Sequence, residues 1–239
     1  MDYQELNYQS ASATREAAVS AAFPALMRKV YVWMTLALVI TGFTAYYVAT
    51  SEQLLTLIYS SRATMWILIG VELAIVIGVS AAINRLSLLT ATLLFVLYSV
   101  INGALLSSIF LLYTTASIAT VFFITAGTFA AMSLFGYTTK QDLTSMGKLL
   151  MMALVGLIIA TVVNIFMKSS GLQMIISYAG VLIFVGLTAY DTQKIKQMCL
   201  QAPDAGETMQ KYALLGALSL YLDFINLFIY LLRIFGRRE

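Results

Sequence analysis

The sequence predicts an all-α, polytopic membrane protein with seven transmembrane helices, and three observations carry that prediction. Of 239 residues, 61% are apolar and only 10% charged, where a soluble globular domain holds about 25% charged residues. The mean hydropathy is +0.89. The apolar residues gather into seven runs that each approach the roughly 20 residues a helix needs to cross a bilayer, about twice the length of a barrel strand.

Residues 1–28 are polar, rich in Ser, Ala, Gln and Tyr, and read as a cytoplasmic tail that is disordered up to about Pro24. They lack the basic segment, apolar run and cleavage site of a secretory signal. Arg28 and Lys29 then anchor the first span, 30–49, and residues 29–236 form the transmembrane domain. The second span, 65–83, contains Glu72, and Asn84-Arg85 turns the chain into the third, 88–108. The fourth is 117–135, and a polar loop with Lys140, Asp142 and Lys148 precedes the fifth, 149–167. The sixth is 174–192, the longest interior loop is 193–211, and the seventh is 214–232. Tyr31, Trp33, Tyr46, Tyr47 and Trp66 stand near span ends as an interfacial belt.

Charge sets the orientation. With the amino terminus inside, nine of the fourteen Lys and Arg residues fall on the inner side and five on the outer, which favours a cytoplasmic amino terminus. Arg233, Arg237 and Arg238 are the misfit, and a re-entrant last segment would move them inside. The net charge of +3 is small and scattered, which argues against nucleic-acid binding. A single cysteine, Cys199, excludes an internal disulfide.

Two long apolar stretches each carry one aspartate: Asp191 near the end of span six and Asp223 in span seven. A carboxylate near the centre of a membrane helix costs about 2.5–3.5 kcal/mol on insertion scales, so such residues face a bundle interior or a water-filled path. Two carboxyls close together in low dielectric cannot both ionise cheaply and titrate as one unit in two macroscopic steps. The chain has no histidine, so any response to pH falls to carboxylates. For the two to meet, span seven must enter the membrane nearer Ala217, or span six must sit deeper. Glu72 and Arg85 are the other ionisable residues in or beside these spans. Glu72 reads equally as a protonated interhelical bond or a path residue, and Arg85 equally as a loop charge. Asn102, Asn164 and Asn226 read as interhelical hydrogen-bonding residues.

Catalytic motifs are lacking. Gly147-Lys148 has neither the upstream glycine nor the following Ser or Thr of a P-loop, and no Gly-x-Ser-x-Gly occurs. The aspartate pair is placed like that of presenilin-type intramembrane proteases. Leu220-Tyr221-Leu222-Asp223 stands where those carry Gly-x-Gly-Asp, however, and a Pro-Ala-Leu element is missing. No enzyme activity and no cofactor are expected.

Ala189-Tyr190-Asp191-Thr192-Gln193 and Leu220-Tyr221-Leu222-Asp223-Phe224-Ile225-Asn226-Leu227-Phe228, supported by Asn102-Gly103, resemble the Bax inhibitor 1-like family over roughly residues 25–236. The resemblance implies a seven-helix fold with the last helix central and the other six around it. It implies a calcium leak controlled by pH, with Asp191 and Asp223 sharing a proton as sensor and offering oxygens transiently to calcium. It also implies an arginine latch on the second helix, for which Arg85 is the nearest residue, and makes Glu72 a path residue.

The expected function is therefore a calcium channel or leak gated by protonation of Asp191 and Asp223, with calcium as the permeating ion. A proton shared between the two holds spans six and seven together; ionisation of both drives them apart and frees oxygen ligands for a hard divalent cation. The competing expectation is a stress-protective protein that binds and restrains another membrane protein. Short loops without retention or lipidation signals suit a bacterial inner membrane.

Overall fold

The computed structural model describes residues 3–200 and 206–238, and within these the chain forms helices α1 (Tyr3–Ala49), α2 (Glu52–Tyr59), α3 (Arg62–Ala82), α4 (Leu88–Leu106), α5 (Ile109–Leu112), α6 (Thr115–Thr138), α7 (Thr144–Met167), α8 (Ser170–Leu200) and α9 (Glu207–Phe235). Seven segments are long and apolar enough to span a membrane, the third being α4 and α5 together, Leu88–Leu112. The protein is a multi-pass integral membrane protein.

Three expectations are corrected. The first helix begins at Tyr3 and runs through Pro24, so the polar tail is helical rather than irregular up to that proline. Ala, Glu and Gln there favour a helix, and the missing proline amide removes only one hydrogen bond. The interior loop shrinks, because α8 continues to Leu200 and α9 starts at Glu207. Tyr31 is no interfacial residue: its hydroxyl lies 2.6 Å from Ser133 Oγ inside the bundle, whereas Tyr46, Tyr47 and Trp66 are exposed.

Local signals explain the helix ends. Ser51, Ser61, Ser87 and Thr114 each accept a backbone amide of the following turn as an N-cap. Asp142 Oδ1 accepts from the amide and hydroxyl of Thr144 at 2.9 and 2.6 Å, which holds its carboxyl below the usual carboxylate range. Asn164 closes α7: its carbonyl receives the Lys168 amide and its Oδ1 the Ser169 amide, with Lys168 left-handed at φ 51°. Between α4 and α5 the Tyr59 hydroxyl donates to Leu105 O at 2.9 Å and accepts from the Ser108 amide, so backbone groups that leave the helix there keep partners.

Helix α9 is the centre. It packs against α1, α4, α6 and α8, and 67% of its spanning window is buried, against 11% for α3 and α7. The implied arrangement with the last helix central is what the structure has. Two glycines bring α8 and α9 together: the Tyr230 ring fills the space beside Gly180, and the Ile195 side chain fills that beside Gly216. On the other side of α8, Gly136 of α6 lies against the Ala189 carbonyl, and Gly103 of α4 lies against the Thr41 carbonyl of α1. Helix α9 traverses the whole bundle. It starts at Glu207 and ends where the Arg237 carbonyl accepts the Thr114 amide and the Arg237 amide donates to Ser117 Oγ. The three terminal arginines therefore lie at the end opposite the 139–143 turn, the end of α8 and the start of α9.

The approach at Gly136 sets the α6–α8 spacing against backbone, which cannot rotate aside. Gly136→Ala is expected to lower stability by about 1–3 kcal/mol, the usual range for overpacking, read as a lower midpoint of thermal unfolding in detergent. An unchanged midpoint would show that α6 and α8 are not held at this distance.

Candidate functional site: an acidic cavity between α3, α8 and α9

The site grows from the register of α8 on α9. The Gly180–Tyr230 and Ile195–Gly216 contacts share one antiparallel register. Carried along, it sets Asp191 level with Leu220, three residues short of Asp223, an axial offset of roughly 5 Å at 1.5 Å per residue. Both carboxyls consequently line one cavity of about 540 Å³ and lie within electrostatic reach of each other. Helix α8 runs nine residues past Asp191, so the aspartate lies inside its helix and not at the helix end.

The residues around Asp191 fix its helix. Ala189 meets Gly136, and the Tyr190 ring covers Gly147 of α7. Thr192 Oγ1 donates to Thr188 O and lies 3.0 Å from Ser133 Oγ, which continues to Tyr31. Gln193 accepts the Leu143 amide and donates to Gln141 O, both at 2.8 Å, and Lys196 Nζ donates to Tyr137 O. Five residues around Asp191 thus bolt α8 to α6, α7 and their connection, while the aspartate is left to the cavity. Lys194, three residues on, is within electrostatic reach of Asp191.

Asp223 is 4% exposed, and its Oδ2 is buried without a hydrogen-bond partner among the described residues. Glu72, from α3, lines the same cavity, and its Oε1 is buried and unpartnered in the same sense. Tyr98, Ser219, Asn226 and Tyr230 add polar wall; Asn226 Nδ2 donates to Leu222 O, and Asn102 Nδ2 donates to Tyr98 OH. Among the described residues no Lys or Arg lines the cavity. Behind it, the Tyr98 and Phe95 rings meet Tyr221 edge to face, and the fully buried Tyr221 hydroxyl lies 2.6 Å from Thr41 Oγ1, which donates to Ser99 O.

The structure therefore brings Asp191, Asp223 and Glu72 together and leaves Arg85 out. Helix α3 ends at Ala82, so Arg85 falls in the turn beyond it, exposed and away from the cavity. The tyrosines, Thr41 and Ser219 were missed in the sequence, where each reads as an ordinary residue of an apolar run. Only the polar spacing of Thr192 and Gln193 next to an aspartate hinted at the bracket. Among the described residues no three acidic or other metal-ligating side chains converge on one point, so the carboxyls border a space and do not form a closed metal cage.

The model of the family described as Inhibitor of apoptosis-promoting Bax1 matches residues 24–239. The chain is 53% identical over 215 residues to the inner membrane protein YbhL of Escherichia coli strain K12, covering 89% of this chain and 92% of that one. It is 47% identical over 213 residues to an uncharacterized protein of Borreliella burgdorferi, covering 89% and 92%. With the uncharacterized protein RP147 of Rickettsia prowazekii the identity is 45% over 216 residues, covering 89% of each. These names carry no enzymatic activity. The matched region contains all seven spans and both aspartates, and the chain belongs to the Bax inhibitor 1-like family of membrane proteins.

Proposed function

We propose that this protein is a pH-sensitive calcium leak of a bacterial inner membrane, with its amino terminus cytoplasmic and Asp191 and Asp223 as one proton-sharing sensor. The observation that carries the reading is the acidic cavity itself. Two carboxyls from consecutive helices and a third from α3 line one space, and among the described residues no Lys or Arg stands in its wall and Asp223 Oδ2 and Glu72 Oε1 have no hydrogen-bond partner. Low dielectric makes uncompensated anionic charge there expensive, so the cavity takes up protons or admits cations. One proton on the Asp191–Asp223 pair removes a charge and permits a hydrogen bond that holds α8 to α9. Loss of that proton sets two like charges against each other and opens the contact, and flux rises with pH. Calcium, a hard cation that accepts carboxylate and carbonyl oxygen in flexible geometry, suits the wall as a passing ion. Glu72 contributes to cation attraction along the path and is not the sensor.

The family description favours a second reading, restraint of another membrane protein. Liposomes containing this protein alone separate the two, because flux there needs no partner.

In such liposomes calcium entry is expected to scale with protein and to rise as pH is raised. Asp191→Asn and Asp223→Asn are each expected to flatten the pH profile, and the double variant to resemble either single one, as for residues acting as a unit. Additive changes in the profile would sink the shared sensor, and an absence of flux at every pH would sink the leak. Arg85→Ala, remote from the cavity, is expected to keep the pH response; Glu72→Gln should lower the flux and keep its pH midpoint. For orientation, an introduced cysteine in the 201–206 connection is expected to resist a membrane-impermeant reagent in intact cells, and one at Lys168 to react. The reverse pattern would invert the topology.

A further inference from the structure

Where α8 starts and α9 ends lies a second cavity of about 470 Å³, separate from the acidic one. Tyr113, Ser170, Gln173, Tyr178, Arg233 and Arg238 supply its polar lining, and no carboxylate among the described residues lines it. The two guanidiniums are held by rings: Arg233 stands 5.5 Å from the Tyr230 ring centroid and Arg238 stands 5.9 Å from that of Tyr113. The one ion pair among the described residues, Lys211 with Glu207, is elsewhere. Helix α8 begins at Ser170, so the positive end of its dipole opens on the same space. Two arginines with no carboxylate beside them among the described residues, each next to an aromatic ring and near hydroxyl and amide groups, form a receptor for a phosphate oxyanion.

The position decides which phosphate. The cavity lies where α8 starts and α9 ends, at the water-facing limit of two spans, and its wall includes Met174, which is exposed on the outside of the bundle. Ile175 and Phe235 continue that exposed apolar surface. A ligand with an anionic head and apolar chains fits both halves; a free anion uses only the first. We infer that this cavity binds the phosphodiester headgroup of an anionic phospholipid, with Arg233 and Arg238 as its ligands and the outer flanks of α8 and α9 as the seat of the acyl chains. The terminal arginines, misplaced for the positive-inside rule, then have a partner of opposite charge on their own side of the membrane.

Native mass spectrometry of the detergent-purified full chain, offered phosphatidylglycerol and phosphatidylcholine in equal amounts, tests this. The wild type is expected to retain phosphatidylglycerol over phosphatidylcholine by roughly tenfold or more, the scale for two arginines near a membrane surface. Arg233→Gln/Arg238→Gln should abolish the preference, Arg238→Gln alone should cut it to roughly a third, and Arg62→Gln, a same-side arginine outside the cavity, should leave it intact. The single Arg238→Gln change, at an exposed position beyond the end of α9, keeps the test open if the double variant does not fold. No preference in the wild type, or a preference that survives both the single and the double change, would overturn the site. Inorganic phosphate as competitor at matched concentration is the second arm: bound lipid should persist, and its displacement would assign the site to a free anion and refute the lipid.

Discussion

The close antiparallel contact of α8 with α9 is the constraint on which the rest of the molecule depends. Gly180 and Gly216 leave no side chain between the helices, and Tyr230 and Ile195 occupy the space they give up. Lipid tails are as apolar as leucine, so helices in a membrane are held by packing density and polar contacts more than by exclusion from water. Small residues against large ones at two separated levels fix one register. In that register two aspartates from different spans share a cavity; a slip of one helical turn along α9 would set Asp223 against a different part of α8.

Around this pair the bundle divides its labour. The Thr192–Lys196 segment ties α8 to α6 and the 139–143 connection through Ser133, Leu143, Gln141 and Tyr137, which leaves α9 as its other close neighbour. On the far side α9 meets α1 and α4 through the buried Tyr221, whose hydroxyl reaches Thr41 and whose ring is boxed by Phe95 and Tyr98. A neutral hydrogen bond contributes about 1 kcal/mol and breaks without leaving a charge, whereas an ionised pair in the cavity changes the balance between α8 and α9 by several times that. On the proposed reading, unpartnered carboxyl oxygens of Asp223 and Glu72 make the cavity the place where the bundle would respond to protons.

The two ends of the bundle carry opposite chemistry on the same helix. Asp223 stands twelve residues before the end of α9, within the acidic cavity, and Arg233 and Arg238 frame the basic one. A bound anion at the basic end would act on the helix that also carries half of the acidic pair. The Arg237 backbone contacts with Thr114 and Ser117 anchor that end of α9 against α6, so the span leaves the bundle at a defined place.

Composition by itself determined that the chain lives in a membrane, and run length determined the number of spans, because both are local properties summed over 20 residues. The cost of a buried carboxylate was enough to single out Asp191 and Asp223, and the motifs around them to name the family. Other features depended on residues distant in sequence. Glu72 joins the aspartates only because α3 packs on α4, which in turn packs on the central helix, and Arg85 leaves them because α3 stops at Ala82. Tyr31 turns inward through Ser133, and the basic cavity needs the start of α8 beside the end of α9. No periodicity announces these meetings. They follow from interhelical register, which is set by where a glycine on one helix faces a ring or carbonyl on another.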